Sequence, residues 1–292
     1  MKNNLIKSRI FLVGCPRSGT TLLQSLLAAH PDIASFPESK FFQELVYPGS
    51  RRSKLKLASQ NARKTFEHFL DDIEHKEMKY LLPKNAVFNY QYTKAFVRIL
   101  DTLAAREDKH FWLEKTPSHL QRINYIEQGV KKAKFIHIIR NGKDVVASLY
   151  ETTNKYPEIW GGSRTIERCI ERWINDVNIS YSHIHKPNHL LVNYEHLVEQ
   201  TQLVLTEICQ FLEIKFSKTM IQNYAVSARG LIRKHESWKN SVSQKIHQEK
   251  SSKFYTIFDE AQRKYIKQQV MVINPENIKA NKTRVITDCQ VF

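Results

Sequence analysis

The chain has 292 residues, 41% of them hydrophobic and 25% charged, so it holds enough apolar material for a core and is not a disordered chain. Only 8 Gly and 9 Pro exclude collagen-like or linker-dominated architectures. Lys and Arg number 45 against 29 Asp and Glu, a formal charge of +16 that points to anionic partners: nucleotides, nucleic acid, sulfated or phosphorylated substrates, or a membrane surface.

In chain order, Met1 to Arg9 is followed by only four apolar residues before Gly14, too short a run for a signal peptide. Ile10 to Val13 reads as a buried strand, and Gly14 to Gly19 as a loop. Thr20 to Ala29 carries Leu22, Leu23, Leu26 and Leu27, a helical stripe that His30-Pro31 stops. The stretch 51–106 is polar, lysine-rich and helical by pattern, and reads as an insertion on the substrate side. Its basic residues Arg51, Arg52, Lys54, Lys56, Arg63 and Lys64 are expected in solvent. Phe135 to Ile139 is a second apolar strand, with a helix from about Asp144; Leu190 to Tyr194 is a third, followed by the stripe Val204, Leu205, Ile208, Phe211 and Leu212. The tail from Asn274 is polar and receives no element.

Strands leading directly into helices imply an α/β fold, a parallel sheet flanked by helices, with 1–292 as a single domain. Cys15, Cys169, Cys209 and Cys289 form neither a CxxC pair nor a zinc pattern, so reduced, buried thiols of a cytoplasmic protein are expected. No run approaches 18 apolar residues, and no transmembrane segment is expected.

Gly14-Cys15-Pro16-Arg17-Ser18-Gly19-Thr20-Thr21 lies between a strand and a helix. The unpaired N–H groups and positive dipole end of a helix start suit an anion. Arg17, Thr20 and Thr21 add charged and hydroxyl donors. The spacing is that of a phosphate-binding P-loop, but Thr20 occupies the lysine position, which counts against an ATPase or GTPase. The second anchor is Phe135 to Ser148: an apolar strand delivers Arg140 at its carboxyl end, where open α/β sheets bind ligands, and Ser148 follows eight positions later. Arginine plus hydroxyl is phosphate chemistry.

Pro16-Arg17-Ser18-Gly19-Thr20-Thr21-Leu22 resembles the 5′-phosphosulfate loop of the sulfotransferases that use 3′-phosphoadenosine 5′-phosphosulfate, and is most similar to the branch of tyrosylprotein sulfotransferases and their bacterial relatives. The resemblance extends over roughly residues 10–266 and implies a P-loop NTPase-like sheet with a helical insertion. It implies that Pro16, Arg17, Ser18, Gly19, Thr20 and Thr21 hold the donor's 5′ side, and Arg140 and Ser148 its 3′-phosphate. It makes Glu38, in Ser35-Phe36-Pro37-Glu38-Ser39-Lys40, the general base, with Lys115 and Arg17 directed at the charge of the transferring group. Glu114, adjacent to Lys115, is the lesser candidate for the base and could orient Lys115 instead. Tyr194 in Asn193-Tyr194-Glu195-His196-Leu197, and Arg233 and Ser241 in the later basic region, are further donor contacts by looser similarity.

The implied reaction moves a sulfonate to a hydroxyl or amine of a small molecule, carbohydrate, lipid or peptide and releases 3′,5′-bisphosphoadenosine. No metal is expected. A nucleotide kinase on the same fold and a basic nucleic-acid-binding module are the rival readings. The dispersed basic residues, without RNA-motif aromatics or zinc-finger spacing, count against a nucleic-acid partner.

Overall fold

A computed structural model describes residues 6–47, 49–233, 236, 246, 252–271 and 285–286. Among them are six strands: β1 (Ser8–Gly14), β2 (Ile33–Ser35), β3 (Phe111–Lys115), β4 (Ala133–Ile139), β5 (His189–Asn193) and β6 (Val285–Ile286). Their order in the sheet is β2-β3-β1-β4-β5-β6. β1 and β2 each pair with β3 in parallel, and β5 pairs with β6 in parallel. The helices used below are α1 (Thr20–Ala28), α2 (Phe41–Leu45), α3 (Ala62–Asp72), α4 (Asn89–Arg106), α5 (Gly142–Lys155), α6 (Ile166–His183), α7 (Tyr194–Glu199) and α8 (Thr201–Leu212). No described helix is long and apolar enough to cross a membrane.

The chain divides into two compact units. The first comprises Met1–Val13, Thr21–Phe135 and Ser217–Ser243. In it β1 and β3 are entirely or almost entirely buried: Ile10 to Val13 and Phe111 to Leu113 are apolar, and Glu114 and Lys115 are buried beyond them. The 51–106 insertion is helical as expected, through α3, α4 and shorter turns, and Arg51, Arg52, Lys54, Lys56 and Lys64 are exposed. It is less polar in effect than its composition suggests. Phe66 of α3 packs on Phe41 of α2, Phe96 of α4 packs on Phe41 and Phe42, and the buried Phe69 lies against Phe66 and Phe96. Phe41 and Phe96 stack at 4.4 Å, and Phe96 meets Trp112 of β3 edge-on at 6.4 Å. Burying such rings contributes roughly 1.5–3 kcal/mol each, with more for good ring geometry. Trp112 Nε1 donates to Asp101 Oδ1 at 2.7 Å, and Arg9 closes on the same carboxylate at 2.6 Å, tying α4 to β1 and β3.

The second unit comprises Gly14–Thr20, Ile136–Phe216 and Gln244–Phe292. Val145, Val146 and Leu149 of α5 pack with Cys169, Trp173 and Val177 of α6 in its main apolar cluster. α5 begins at Gly142, two residues before the expected Asp144, because the Asn141 side chain caps it by accepting from Lys143 N at 3.0 Å. Tyr194 opens α7 rather than ending β5. The polar tail holds the two-residue β6, which no pattern of that length announces.

Candidate active site

In the second unit, the loop after β1 turns sharply. Gly14 has φ +156°, and a side chain there would meet the Ile138 carbonyl oxygen at 2.4 Å. Gly19 has φ +92°, and a Cβ would fall 2.2 Å from Cδ2 of Tyr194. The loop backbone thus lies flat against that ring, which only glycine permits. Arg17 adopts a left-handed φ of 74°, costing a non-glycine residue about 1–2 kcal/mol. Its Nε donates to Ser148 Oγ at 3.0 Å. Ser18 and Thr20 are buried, and the Ser18 hydroxyl oxygen has no hydrogen-bond partner among the described residues.

Arg140 follows β4, and its carbonyl accepts from Trp173 Nε1 at 3.1 Å. Its guanidinium lies over the Tyr194 ring, 4.3 Å from the centroid, and 3.7 Å from the Asp144 carboxylate. Its Nε is buried without a hydrogen-bond partner among the described residues. Glu195 accepts from Asn141 N at 2.9 Å; burial pushes its carboxyl above the usual carboxylate range. One arginine is thus stacked on a ring, another is seated on Ser148, and a hydroxyl is buried without a partner, all around a glycine-lined turn. Buried donors of this kind are costly unless something accepts from them. An anion of the phosphate or sulfate class fits that need.

In the first unit, β2 ends at Ser35 and β3 at Lys115, at the carboxyl ends of two paired parallel strands. Lys115, 1% exposed at its side chain, closes on Oε1 of Glu38, which is 14% exposed. Lys115 is the last residue of β3. Arg233 Nη2 donates to the Glu38 carbonyl at 2.8 Å and pairs with Asp72 at 2.9 Å. This places Arg233 on the Glu38 segment. Thr21 is half-buried in the first turn of α1, Pro16 is half-buried in the loop, and Ser241 lies outside the described residues.

Glu114 proves more connected than its sequence context suggests. It is 1% exposed and bonds Ser39, Thr116 and His119. Elsewhere, in the interior of the second unit, His137, His183 and His189 gather, with His137 Nε2 2.8 Å from His189 Nδ1. Imidazoles are metal ligands by type, but this group includes none of the residues described above.

A glycine-turned loop at the end of β1, an arginine at the carboxyl end of β4 and an α/β sheet form the layout that suits a nucleotide- or phosphate-handling class of protein. The sulfotransferase family model matches residues 9–218, and the chain belongs to that family. Protein-tyrosine sulfotransferase 2 of Gallus gallus is 26% identical over 219 residues, 73% of this chain and 53% of that protein. The nodulation protein NoeE of Sinorhizobium fredii is 28% identical over 159 residues, 54% of this chain and 33% of that one. The chain spans about half or less of the length of the curated relatives it matches. Among solved structures, the sulfotransferase domain from the Synechococcus PCC 7002 olefin synthase superposes with a TM-score of 0.56 at 20% identity, covering 92% of this chain and 95% of that one. It shows the fold.

Proposed function

We propose that this protein is an enzyme that moves a sulfonate from 3′-phosphoadenosine 5′-phosphosulfate to a hydroxyl or amine acceptor. The observation that carries the reading is the Glu38–Lys115 pair: a carboxylate partly open to solvent, held by a buried ammonium at the ends of two parallel strands. A base of this kind, held in place beside a cation, suits proton removal coupled to charge development on a leaving oxygen.

The donor supplies an already activated sulfonate and departs as 3′,5′-bisphosphoadenosine. Ser18, Gly19, Thr20 and Thr21 offer their N–H and hydroxyl groups to its 5′ side, with Pro16 and Arg17 shaping the turn. Arg140 and Ser148 take the 3′-phosphate, and Tyr194 supports both Gly19 and Arg140. Two buried donors without partners among the described residues, on Ser18 and Arg140, favour this assignment. Glu38 takes the acceptor proton as the acceptor atom bonds to sulfur and the bond from sulfur to the phosphate oxygen breaks. Lys115 and Arg17 neutralise the charge that collects there. Arg233 serves the same reaction by fixing the Glu38 backbone.

The glycine-turned loop is read as P-loop-like in form, with Thr20 in place of the lysine, and residues 1–292 as one sulfotransferase domain with a substrate-side insertion at 51–106. Three buried free thiols, Cys15, Cys169 and Cys209, favour a reducing, cytoplasmic setting. None of the roles given calls for a metal or a nucleic-acid partner.

The test is donor-dependent sulfonation across phenols, sugars, lipids and peptides, read by a mass gain of one sulfonate. Glu38→Gln is expected to lower turnover by about 10²–10⁴-fold with bisphosphoadenosine affinity retained. Failure to modify any acceptor, with no binding of bisphosphoadenosine, would overturn the reading.

A further inference from the structure

Glu38 lies in a connecting segment, and such segments are mobile unless their backbone is tied down. The residues that follow it open α2, a helix whose first N–H groups have no partner within the helix. All four N–H groups from Ser39 to Phe42 are nevertheless received. Ser39 N donates to Glu114 Oε1 at 3.3 Å, and Lys40 N to Thr116 Oγ1 at 3.1 Å. Phe41 N donates to Ser39 Oγ at 3.1 Å, and Phe42 N to His119 Nε2 at 3.0 Å.

Every route ends on one carboxylate. The Ser39 and Thr116 hydroxyls each donate to Glu114 Oε1 at 2.7 Å. His119 Nδ1 lies 2.8 Å from Glu114 Oε2. His119 Nε2 thus accepts from Phe42 N on one side of the ring, and Nδ1–H donates to Glu114 on the other. Burial pushes the Glu114 carboxyl up, but the His119 ring and the Ser39 and Thr116 hydroxyls outweigh it and hold it below the usual carboxylate range. Lys40 meanwhile takes a left-handed φ of 52°, a conformation these bonds sustain. Adjacent strand residues point to opposite faces. Lys115 therefore reaches the Glu38 carboxylate while its neighbour Glu114 reaches the backbone just beyond it.

We infer that Glu114, acting through His119, Ser39 and Thr116, is a positioning residue that fixes the Glu38 carboxylate for proton removal. This rests on the reading of Glu38 as the base. Glu114 is not itself a base: it is buried, and both its oxygens are filled by protein donors.

The test uses Glu114→Gln and Thr116→Val, with Thr116→Ser as the conservative rescue, in the full chain. The amide of Glu114→Gln must set a donor against His119 Nδ1–H or surrender one of the hydroxyl bonds. Thr116→Val keeps the shape but loses the relay from Lys40. In both, kcat is expected to fall at least about tenfold and the acidic limb of the kcat–pH profile to move, since small misplacements of a reacting group are costly. Bisphosphoadenosine affinity stays within about twofold, and Thr116→Ser restores kcat. Amide exchange at Ser39–Phe42, which needs no turnover, speeds up at least about tenfold in both variants. Wild-type kcat and unchanged exchange in either folded variant overturn the inference, as does equal loss in Thr116→Ser. Glu38→Gln, run in parallel, separates the two readings. Wild-type turnover there removes the base assignment itself, whereas a slow Glu38→Gln beside normal Glu114→Gln and Thr116→Val removes only the positioning role.

Discussion

Replacing Gly19 by alanine tests the loop after β1 most directly, because two separable costs meet at that residue. Its φ of +92° is left-handed, and an L side chain there costs about 1–2 kcal/mol. The new Cβ would also sit 2.2 Å from Cδ2 and 2.5 Å from Cε2 of Tyr194, more than about 1 Å inside ordinary contact. Tyr194 has little freedom to retreat, since the Arg140 guanidinium lies 4.3 Å from its ring centre. Overpacking of this kind adds about 1–3 kcal/mol. Gly49 supplies the control: its φ is +82°, and nothing lies within 4 Å of a Cβ there. Gly49→Ala should therefore lose only the backbone share, and Gly19→Ala about 1–3 kcal/mol more, measured as urea midpoints at constant m. Bisphosphoadenosine titration calorimetry should show at least about tenfold weaker binding in Gly19→Ala, equivalent to about 1.4 kcal/mol, and no change in Gly49→Ala. Equal stability and equal binding in the two variants would refute the claim that the loop backbone is pressed against Tyr194.

Arg140→Ala should weaken bisphosphoadenosine binding by at least about tenfold while leaving the fold intact, because a charged donor to a phosphate contributes about 1.5–3 kcal/mol; calorimetry decides it. His137 is buried, and burial, with the neighbouring His189 and His183, holds its pKa well below the ordinary 6.5. Below about pH 6.5 the unfolded chain therefore takes a proton that the folded chain refuses. Stability should fall as pH drops, by up to about 1.4 kcal/mol per unit from this group, until the lowered pKa is reached; urea midpoints at about pH 7.5 and about pH 5.5 measure it. Burial raises Cys15 well above its ordinary value and pushes Cys169 and Cys209 up to about 11. Alkylation mapped by peptide mass should spare these three in the native protein and label them after denaturation.

Much of this arrangement is written locally in the chain. β1 and β4 are apolar runs ending at a glycine turn and an arginine, so strand, turn and helix announce themselves within a dozen residues. The start of α5 is equally local: Asn141 is a strong N-cap residue just before Gly142, two positions ahead of Asp144. The inward face of the insertion was harder to see, because lysines and arginines crowd around Phe66, Phe69 and Phe96 and lower the mean hydropathy without disturbing the aromatic spacing. Long-range pairings were beyond sequence reading. Arg233 meets the Glu38 carbonyl across 195 positions, and no periodicity links them. The importance of Glu114 was hidden for a related reason: its partners Ser39 and His119 acquire meaning only when β3 and α2 are brought together.

The insertion is held from within. Its phenylalanines anchor it to Phe41, Phe42 and Trp112, while most of its lysines and arginines are exposed. A lineage can therefore rewrite that outer surface residue by residue without destabilising the sheet beneath. Change on that outer surface and preservation of the aromatic interior are then separable within one chain.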